Sequence, residues 1–266
     1  MRSEWERDAQ RCANGLLHRF GVRDAAHIRV ESFAAKLGVE IVEAPLDGAS
    51  AQLVHNGKRA LIMVSDRIVD PLARRFSIAH ELGHFVMRHP SRPASELSTP
   101  YASRLKRAGT RDYEAEANTF AAELLMPTKL VRAVCEVSPV DLTVPRKISR
   151  DYDVSILASA IRFTELASER CAAVLSVAGK VKWFAPSTTF TYVIERGRRI
   201  DRNSLAWDYF TKGAVDDEPQ PVPADAWLDT AHDVEIIEHS ICSREMGTVL
   251  SMLWVPARAA PKLGMF

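Results

Sequence analysis

The sequence has few cysteines and no pattern that would pair them. Its 266 residues include four cysteines. They stand far apart, at Cys12, Cys135, Cys171 and Cys242. Disulfide frameworks and cysteine-based metal sites need closely spaced pairs of the C-x-x-C kind. The spacing therefore argues against both and favours a reduced, cytoplasmic protein.

Long apolar runs are also absent. No stretch approaches the roughly eighteen consecutive apolar residues that a membrane span needs. The first eight residues mix charges of both signs and lack the apolar segment of a secretory signal. We therefore expect a protein that works inside the cell and has no membrane partner.

Neither sign of charge is in excess. The chain has 35 Lys and Arg against 34 Asp and Glu, a formal net charge of +1, so no basic surface for nucleic acid is expected. Hydrophobic residues make up 47% and charged residues 26%, as in ordinary globular proteins. A chain of this length can build a large core and, we expect, two domains.

One short motif points to metal chemistry. His80-Glu81-x-x-His84 places two histidines four residues apart, and on a helix such residues lie one above the other. Apolar residues recur around it at helical spacing. Two imidazoles leave a tetrahedral Zn²⁺ ion with room for a third protein ligand and a water, whose proton Glu81 can take. The simpler alternative is a pair of histidines that merely pack or cap a helix.

The patterns on either side of the motif predict an α+β protein with a small β-sheet beside the motif helix. Strands are predicted at residues 39–43, 51–55 and 59–65, the last two joined by the hairpin signal Asn56-Gly57. Later helices are predicted at 113–126, 145–152 and 155–167, and later strands at 172–177, 181–184, 188–195, 234–243 and 248–255. We divide the chain into a metal-binding domain at 1–127, a helical segment at 128–170 and a β-rich domain at 171–266.

A third zinc ligand is sought on the helix at 113–126. Glu114, Glu116 and Glu123 compete for this role. At about one hundred degrees per residue, Glu114 lies on the apolar face, whereas Glu116 and Glu123 fall at its flank. A carboxylate on the buried side is costly unless it is paired or bound to a metal, which favours Glu114. Asn118, one turn later on the same side, is placed to hydrogen-bond a ligand.

Two stretches together resemble the ImmA/IrrE-type metallopeptidases of bacteria and their mobile elements. They are residues 74–84, around the histidine motif, and residues 114–127. The resemblance implies a zincin-like domain with Zn²⁺ as cofactor. It further implies that the two motif histidines and Glu114 are the ligands and that Glu81 is the catalytic base.

The resemblance also implies a substrate. Similar family members cleave helix-turn-helix transcriptional repressors and so release stress-response or mobile-element genes. Residues 148–166 resemble the helix-turn-helix-like region that often follows in the family. Residues 171–266 look like the β-rich extension of longer members, for which we expect a regulatory or substrate-recruiting role.

We expect an extended substrate to pair with the strand at 59–65. A metallopeptidase must hold the scissile peptide straight, and pairing with an edge strand does this through backbone hydrogen bonds. The centre of this strand is Leu61, Ile62, Met63 and Val64. The polar stretch at 91–112 could rim the cleft or be a solvated linker. An oxyanion donor is also wanted, and Tyr101, Tyr113 or a further histidine stay open for it.

Two other functions compete with a peptidase. A DNA-binding regulator would use the helical segment, but residues 128–170 hold seven Lys and Arg and six Asp and Glu, which offers no basic face for phosphates. A non-cutting binding partner of the toxin-antitoxin kind would keep the zinc, and the intact Glu81 argues against it. The oligomeric state stays open.

Overall fold

The computed structural model describes residues 4–55, 59–90, 111–228 and 234–257. They form eight α-helices and two β-sheets, which confirms the predicted α+β class. The chain divides into two compact units, Met1–Val131 with Ile148–Ser155 and Arg132–Lys147 with Ile156–Phe266. The functional division predicted at residues 127 and 170 stays a prediction.

The first unit places a three-stranded sheet among helices. Its elements are α1 (Glu4–Arg19), α2 (Val30–Lys36), β1 (Val39–Ala44), β2 (Ala51–His55), β3 (Ala60–Ser65), α3 (Pro71–Val86), α4 (Tyr113–Leu125) and the start of α5 (Thr128–Cys135). α3 begins with a cap and a proline: the Asp70 carboxylate accepts the Leu72 N–H at 2.9 Å, and Pro71 occupies the first turn. The predicted Asn56-Gly57 turn lies outside the described residues.

The strand β3 is the central strand of this sheet, whose order is β1-β3-β2. It runs parallel to β1 and antiparallel to β2, so its backbone hydrogen bonds are used on both sides. The prediction that Leu61, Ile62, Met63 and Val64 receive a substrate strand is therefore wrong. The side chains explain the order, because Ile62 and Val64 are fully buried whereas Val54 of β2 is 44% exposed. The strand with the more apolar side chains lies inside, and β1 and β2 form the two edges.

The helices of the first unit form its core with this sheet. α3 packs against β2, β3 and α4, and α4 also packs along α1. Both helices bury apolar side chains, Ile78, Ala79 and Leu82 on α3 and Ala117, Phe120 and Ala121 on α4. α4 therefore packs against α1 on one side and α3 on another. It carries three carboxylates that are described below, Glu114, Glu116 and Glu123.

The second unit is built on a five-stranded antiparallel sheet in the order β5-β4-β8-β7-β6. Its strands are β4 (Cys171–Val177), β5 (Lys180–Pro186), β6 (Gln220–Val222), β7 (Ile236–Ser243) and β8 (Thr248–Trp254). The helices α7 (Ile156–Leu166) and α8 (Leu205–Lys212) pack on it, and α6 (Thr143–Tyr152) is shared between the two units. None of the described helices is both long and apolar enough to cross a membrane.

The predicted strand at 188–195 does not form. Phe190 and Ile194 are buried in the core of the second unit, but the segment pairs with no strand. Thr189 instead donates its hydroxyl to the backbone oxygens of Ser168 and Glu169. The apolar spacing that predicts a strand thus reflects packing onto the core without a backbone ladder.

Candidate metal centre

The helices α3 and α4 approach each other closely at Gly83. A Cβ atom placed at Gly83 would lie 3.1 Å from Phe120 Cδ1 and 3.2 Å from the Cα of Ala117. A larger residue would therefore force the two helices apart. Gly83 directly precedes His84, and Ala117 lies nearly one turn after Glu114. The close approach brings the first turn of α4 over the histidine pair of α3.

His80, His84 and Glu114 converge at this point. The Nε2 atoms of the two histidines are 3.0 Å apart. The Glu114 carboxylate oxygens lie 3.1 Å from His84 Nε2 and 3.4 Å from His80 Nε2. The three side chains are between 12% and 19% exposed, so the cluster is shielded but reachable from solvent.

The spacing of these atoms fits a single zinc ion. A tetrahedral zinc ion about 2.0 Å from nitrogen and oxygen ligands holds those ligands roughly 3.3 Å from one another. The observed separations of 3.0, 3.1 and 3.4 Å lie around that value. Two imidazoles and a carboxylate are also a donor set of catalytic zinc sites, in which a further position stays open for water.

Charge in the cluster also suits a cation. Burial alone would raise the pKa of the Glu114 carboxyl, but hydrogen bonds to His80 and His84 outweigh it and hold the pKa below its usual range. Burial likewise opposes the charged form of His80, but the hydrogen bond to Glu114 and the charge of Glu81 raise the pKa of His80 above its ordinary value. Glu114 is therefore ionised at neutral pH, and its negative charge attracts a proton or a metal ion to the same place.

Asn118 holds His80 from the side away from the cluster. The Nδ1 atom of His80 lies 3.0 Å from the Asn118 Oδ1. Because an amide oxygen only accepts, His80 donates from Nδ1 and keeps the lone pair of Nε2 facing the cluster. The contact lies where the helical spacing of α4 predicts it, and its role in metal binding stays a prediction.

Glu81 turns toward the edge strand β2. Its Oε2 accepts the backbone N–H of Leu53 at 2.8 Å. The Ser65 N–H donates to the Ser50 carbonyl, and backbone groups alternate along an antiparallel strand. The backbone N–H and C=O groups of the even-numbered residues of β2 therefore point toward β3, and those of the odd-numbered residues point away from it. Among the described strands none pairs with β2 on that side, so Glu81 lies at an open sheet edge.

His89 lies directly behind His84. Its Nδ1 is 3.0 Å from the Nδ1 of His84, and its Nε2 is 3.2 Å from the Oε2 of Glu116. Burial, and secondarily the neighbouring His84, lower the pKa of His89 to about 4, so the ring is neutral at physiological pH. The spacing of five residues from His84 matches no ligand motif, and the sequence alone therefore does not indicate this contact.

The backbone after α3 explains how His89 reaches this place. Arg88 adopts a left-handed conformation with φ 55°, which residues with a side chain rarely do. The turn folds the chain back so that the His89 N–H donates to the His84 carbonyl at 3.0 Å. One sequence signal could suggest the contact between His89 and His84: a histidine directly after the end of the helix that carries the metal motif.

Glu116 and Glu123 are more deeply buried than their predicted position at the flank of the apolar helix face implies. Their relative exposures are 1% and 0%, so their placement at the flank of the helix is wrong. Glu123 accepts hydrogen bonds from Asn14 Nδ2 and from the N–H and hydroxyl of Thr128, which link α1, α4 and the start of α5. Arg111 pairs with Glu116 at 2.7 Å. Burial of a carboxylate therefore does not by itself select the ligand on α4, but proximity to the histidines does.

The oxyanion donor stays open. Tyr101 and most of the stretch at 91–112 lie outside the described residues. The Tyr113 ring packs against His89 with 4.8 Å between ring centroids, and the Arg111 guanidinium lies 5.0 Å from its centre. These contacts give Tyr113 a packing role behind His84.

Residues 34–164 match the family model described as the IrrE N-terminal-like domain, a peptidase family. The matched region contains α3 and α4, and with them His80, Glu81, His84, Glu114 and Asn118. This part of the chain belongs to the ImmA/IrrE family. The IrrE-like domain includes the His-Glu-x-x-His helix and residues 114–127, the two stretches that carry the resemblance in sequence. Comparison with curated proteins gives no significant match.

Among solved structures, the chain is similar to a Mycobacterium tuberculosis transcriptional regulator. The two share 14% sequence identity with a TM-score of 0.56, over 94% of this chain and 76% of that one. At this identity the likeness concerns the fold alone. It extends beyond the IrrE-like domain into the β-rich second unit.

Proposed function

We propose that this chain is a zinc-dependent endopeptidase whose metal ion would be held by His80, His84 and Glu114. The observation that carries the proposal is the convergence of two imidazole nitrogens and the two Glu114 carboxylate oxygens at separations close to those around one tetrahedral ion. Glu81 lies beside them at an open sheet edge, where a peptide can bind. Membership of a peptidase family supports the same reaction class.

The roles of the protein's own residues follow from this arrangement. Zinc, when bound, supplies polarisation of the scissile carbonyl and acidification of water. Glu81 accepts the proton of the attacking water and returns it to the leaving amine. Asn118 holds one proton of His80 on Nδ1, so that the Nε2 of the neutral ring would be available to the metal.

We assign substrate binding to β2 in place of β3. The odd-numbered residues of Ala51–His55 direct their backbone groups away from β3 and can pair with an extended peptide. Leu53, whose N–H reaches Glu81 at 2.8 Å, fixes where that peptide crosses the site. Pairing through the backbone makes little demand on sequence, so selectivity has to come from contacts elsewhere, for which we propose the β-rich unit.

We propose a helix-turn-helix repressor, cut in an exposed loop or linker, as the substrate. Support comes from family membership, and the structural neighbour from Mycobacterium tuberculosis is itself described as a transcriptional regulator. Cleavage would release the stress-response or mobile-element genes that the repressor holds silent. We place the reaction in the cytoplasm, because the four cysteines are free thiols.

The competing function, DNA binding by the chain itself, finds little support in its helices. A recognition helix has to expose the face that enters the major groove. Of the eleven residues of α7, Glu165 alone is exposed, and it carries the same charge as the phosphates. α7 is therefore a packing helix, which favours the peptidase.

The proposed activity is tested with the zinc-loaded protein and the repressor encoded beside its gene. Wild-type protein should cut the folded repressor at one place. Glu81→Gln should keep zinc but lower the cleavage rate about 10²- to 10⁴-fold, because the amide cannot accept the water's proton. Mass spectrometry of the products and metal analysis of both proteins give the two readouts.

Three results would count against the proposal. Efficient digestion of unfolded casein with the repressor left intact would contradict the substrate. Zinc binding without any hydrolysis, even of the repressor, would favour the non-cutting binding partner. A mobility shift of promoter DNA at low salt would revive the DNA-binding function.

A further inference from the structure

We propose that His89, Glu116 and Arg111 are positioning residues that set the protonation of His84 through a one-way chain of hydrogen bonds. The inference rests on the proposed zinc site and extends it, because it states how one ligand is kept ready for the metal. None of the three residues contributes to the cluster of candidate ligand atoms.

The direction of each hydrogen bond in this chain is fixed by chemistry. Arg111 can only donate, and its Nε and one terminal nitrogen reach the two oxygens of Glu116 at 2.7 and 2.8 Å. An ionised carboxylate can only accept, so Glu116 also accepts from His89 Nε2 at 3.2 Å. His89 therefore carries its proton on Nε2 and has a lone pair on Nδ1.

That lone pair decides the state of His84. The two Nδ1 atoms of His84 and His89 are 3.0 Å apart, and one of them has to donate. Because His89 accepts there, His84 donates from Nδ1 and has no proton left on Nε2 when it is neutral. His84 Nε2 thus presents its lone pair toward Glu114 and His80, as a zinc ligand must.

The surroundings hold the chain of hydrogen bonds in place. The side chains of His89 and Glu116 are each 1% exposed, so water does not compete for their bonds. The Arg111 guanidinium lies over the rings of Trp5 at 4.7 Å and Tyr113 at 5.0 Å, and it compensates the buried charge of Glu116. A purely structural salt bridge between helices would need Arg111 and Glu116 but not the contact of His89 with His84.

α4 therefore supports both histidines of α3 from behind, with different side chains. Asn118 serves His80 with a single amide oxygen. Glu116 serves His84 through an intervening imidazole. The same helix carries Glu114, so a candidate ligand and the supports of the other two lie within five consecutive residues of the sequence.

The test compares four variants of the full-length protein. Glu116→Gln replaces one acceptor oxygen by an amide nitrogen, so Arg111 and His89 can no longer both be satisfied. His89→Phe removes the acceptor for His84, whereas His89→Asn keeps an acceptor oxygen near the Nδ1 position. Glu123→Gln is the matched control, because Glu123 is equally buried on α4 but contacts Asn14 and Thr128.

Zinc affinity is measured by competition with a chelator, and the cobalt-loaded proteins are compared by visible absorption. We expect Glu116→Gln and His89→Phe to weaken zinc binding by about 10- to 100-fold and to change the cobalt spectrum. His89→Asn should recover most of the affinity lost in His89→Phe. Glu123→Gln should lower the thermal unfolding temperature of the zinc-free protein but leave zinc affinity and the spectrum unchanged.

Two results would overturn the inference while leaving the proposed function standing. One is wild-type zinc affinity in Glu116→Gln and His89→Phe. The other is an equal loss of affinity in Glu116→Gln and Glu123→Gln, which would mean that both act through stability alone. If the wild-type protein itself binds no zinc, the proposed function fails and the inference fails with it.

Discussion

The Cβ position of Gly83 lies 3.2 Å from the Cα of Ala117, so the backbones of α3 and α4 touch beside the candidate ligands. His84 follows Gly83 directly, and Glu114 lies nearly one turn before Ala117. The distance between the candidate ligands His84 and Glu114 is therefore set by two residues that offer no candidate ligand atom themselves.

Replacing Gly83 by Ala should damage the site more than the helix. Alanine normally stabilises a helix by roughly 0.5–1 kcal/mol relative to glycine, but here its methyl group would press on Ala117 and Phe120. We expect Gly83→Ala to lower zinc affinity about tenfold or more, a change of about 1.4 kcal/mol. Titration against a chelator measures it.

Gly15→Ala in α1 is the control for this change. No atom lies within 4 Å of a Cβ at Gly15, so the substitution should raise stability by roughly 0.5–1 kcal/mol without affecting zinc. Equal zinc affinity in Gly83→Ala and wild-type protein would show that the close approach of the helices does not set the site.

Glu114→Gln should nearly empty the metal site. An amide oxygen is a weaker ligand than a carboxylate and brings no negative charge, so the affinity should fall by more than the roughly 100-fold seen for residues behind a ligand. Metal analysis after dialysis measures it, with Glu123→Gln as the control. Glu116 is no neutral control, because it contacts His89. Stoichiometric zinc in dialysed Glu114→Gln would remove Glu114 from the ligand set.

Leu53→Pro should separate folding from catalysis. The Leu53 N–H faces Glu81 and not β3, so proline removes no ladder bond at this edge position. Proline also removes the donor that a bound peptide carbonyl would accept, a hydrogen bond that contributes about 0.5–1.5 kcal/mol, so peptide hydrolysis should slow roughly 2- to 10-fold. Turnover and zinc content of the purified variant are the measurements.

Val54→Pro is the matched comparison, one residue along the same strand. Val54 faces β3, opposite Leu61, so its proline removes a ladder donor and should lower the unfolding temperature instead. If Leu53→Pro turns over as fast as wild type, neither the base nor the substrate depends on that N–H.

Stability of the zinc-free protein should pass through a maximum near pH 6.5, the ordinary pKa of histidine. The raised pKa of His80 means that above this pH the folded protein binds more protons than the unfolded chain, so stability falls as pH rises. The pKa of His89, lowered to about 4, acts oppositely below pH 6.5, where stability falls as pH drops. Thermal unfolding at a series of pH values in the presence of a chelator measures the loss of stability on both sides of this maximum.

Bound zinc should reverse the loss of stability above pH 6.5. Protons and zinc compete for the same nitrogens, so zinc binding strengthens as pH rises, and the loaded protein should gain stability where the zinc-free protein loses it. In the presence of a chelator, Glu114→Gln should lose less stability above pH 6.5 than the wild-type protein, because the partner that raises the pKa of His80 is gone. A zinc-free wild-type protein that becomes more stable above pH 6.5 would contradict this assignment.

The sequence predicts the elements that carry the candidate site but not all of their neighbours. The spacing of His80 and His84 on a capped helix and the facing of Glu114 and Asn118 on α4 follow from helical periodicity, which is local information. The order of the sheet does not follow from it. β1 pairs in parallel with β3, which moves β2 to the edge, and nothing in the alternation of a single strand indicates its partners.

Long-range partners explain the other departures. Glu116 and Glu123 are read from the sequence as flank residues, yet both are buried, because Arg111 and Asn14 meet them there. Asn14 lies 109 residues away from Glu123 along the chain. Helical geometry alone gives the direction in which a side chain points, but it does not give the residues from distant parts of the chain that contact it there.

The hydrogen bond between Leu53 and Glu81 has a consequence for timing. The N–H that stabilises the negative charge of the Glu81 carboxylate belongs to the open edge at which an extended peptide would pair. A peptide carbonyl that accepts this N–H takes it from Glu81, and the carboxylate oxygen is then free to accept a hydrogen bond from the attacking water. The resting protein would thus keep the Glu81 carboxylate occupied by its own backbone, and an incoming peptide would free that oxygen only while the peptide is held across the site.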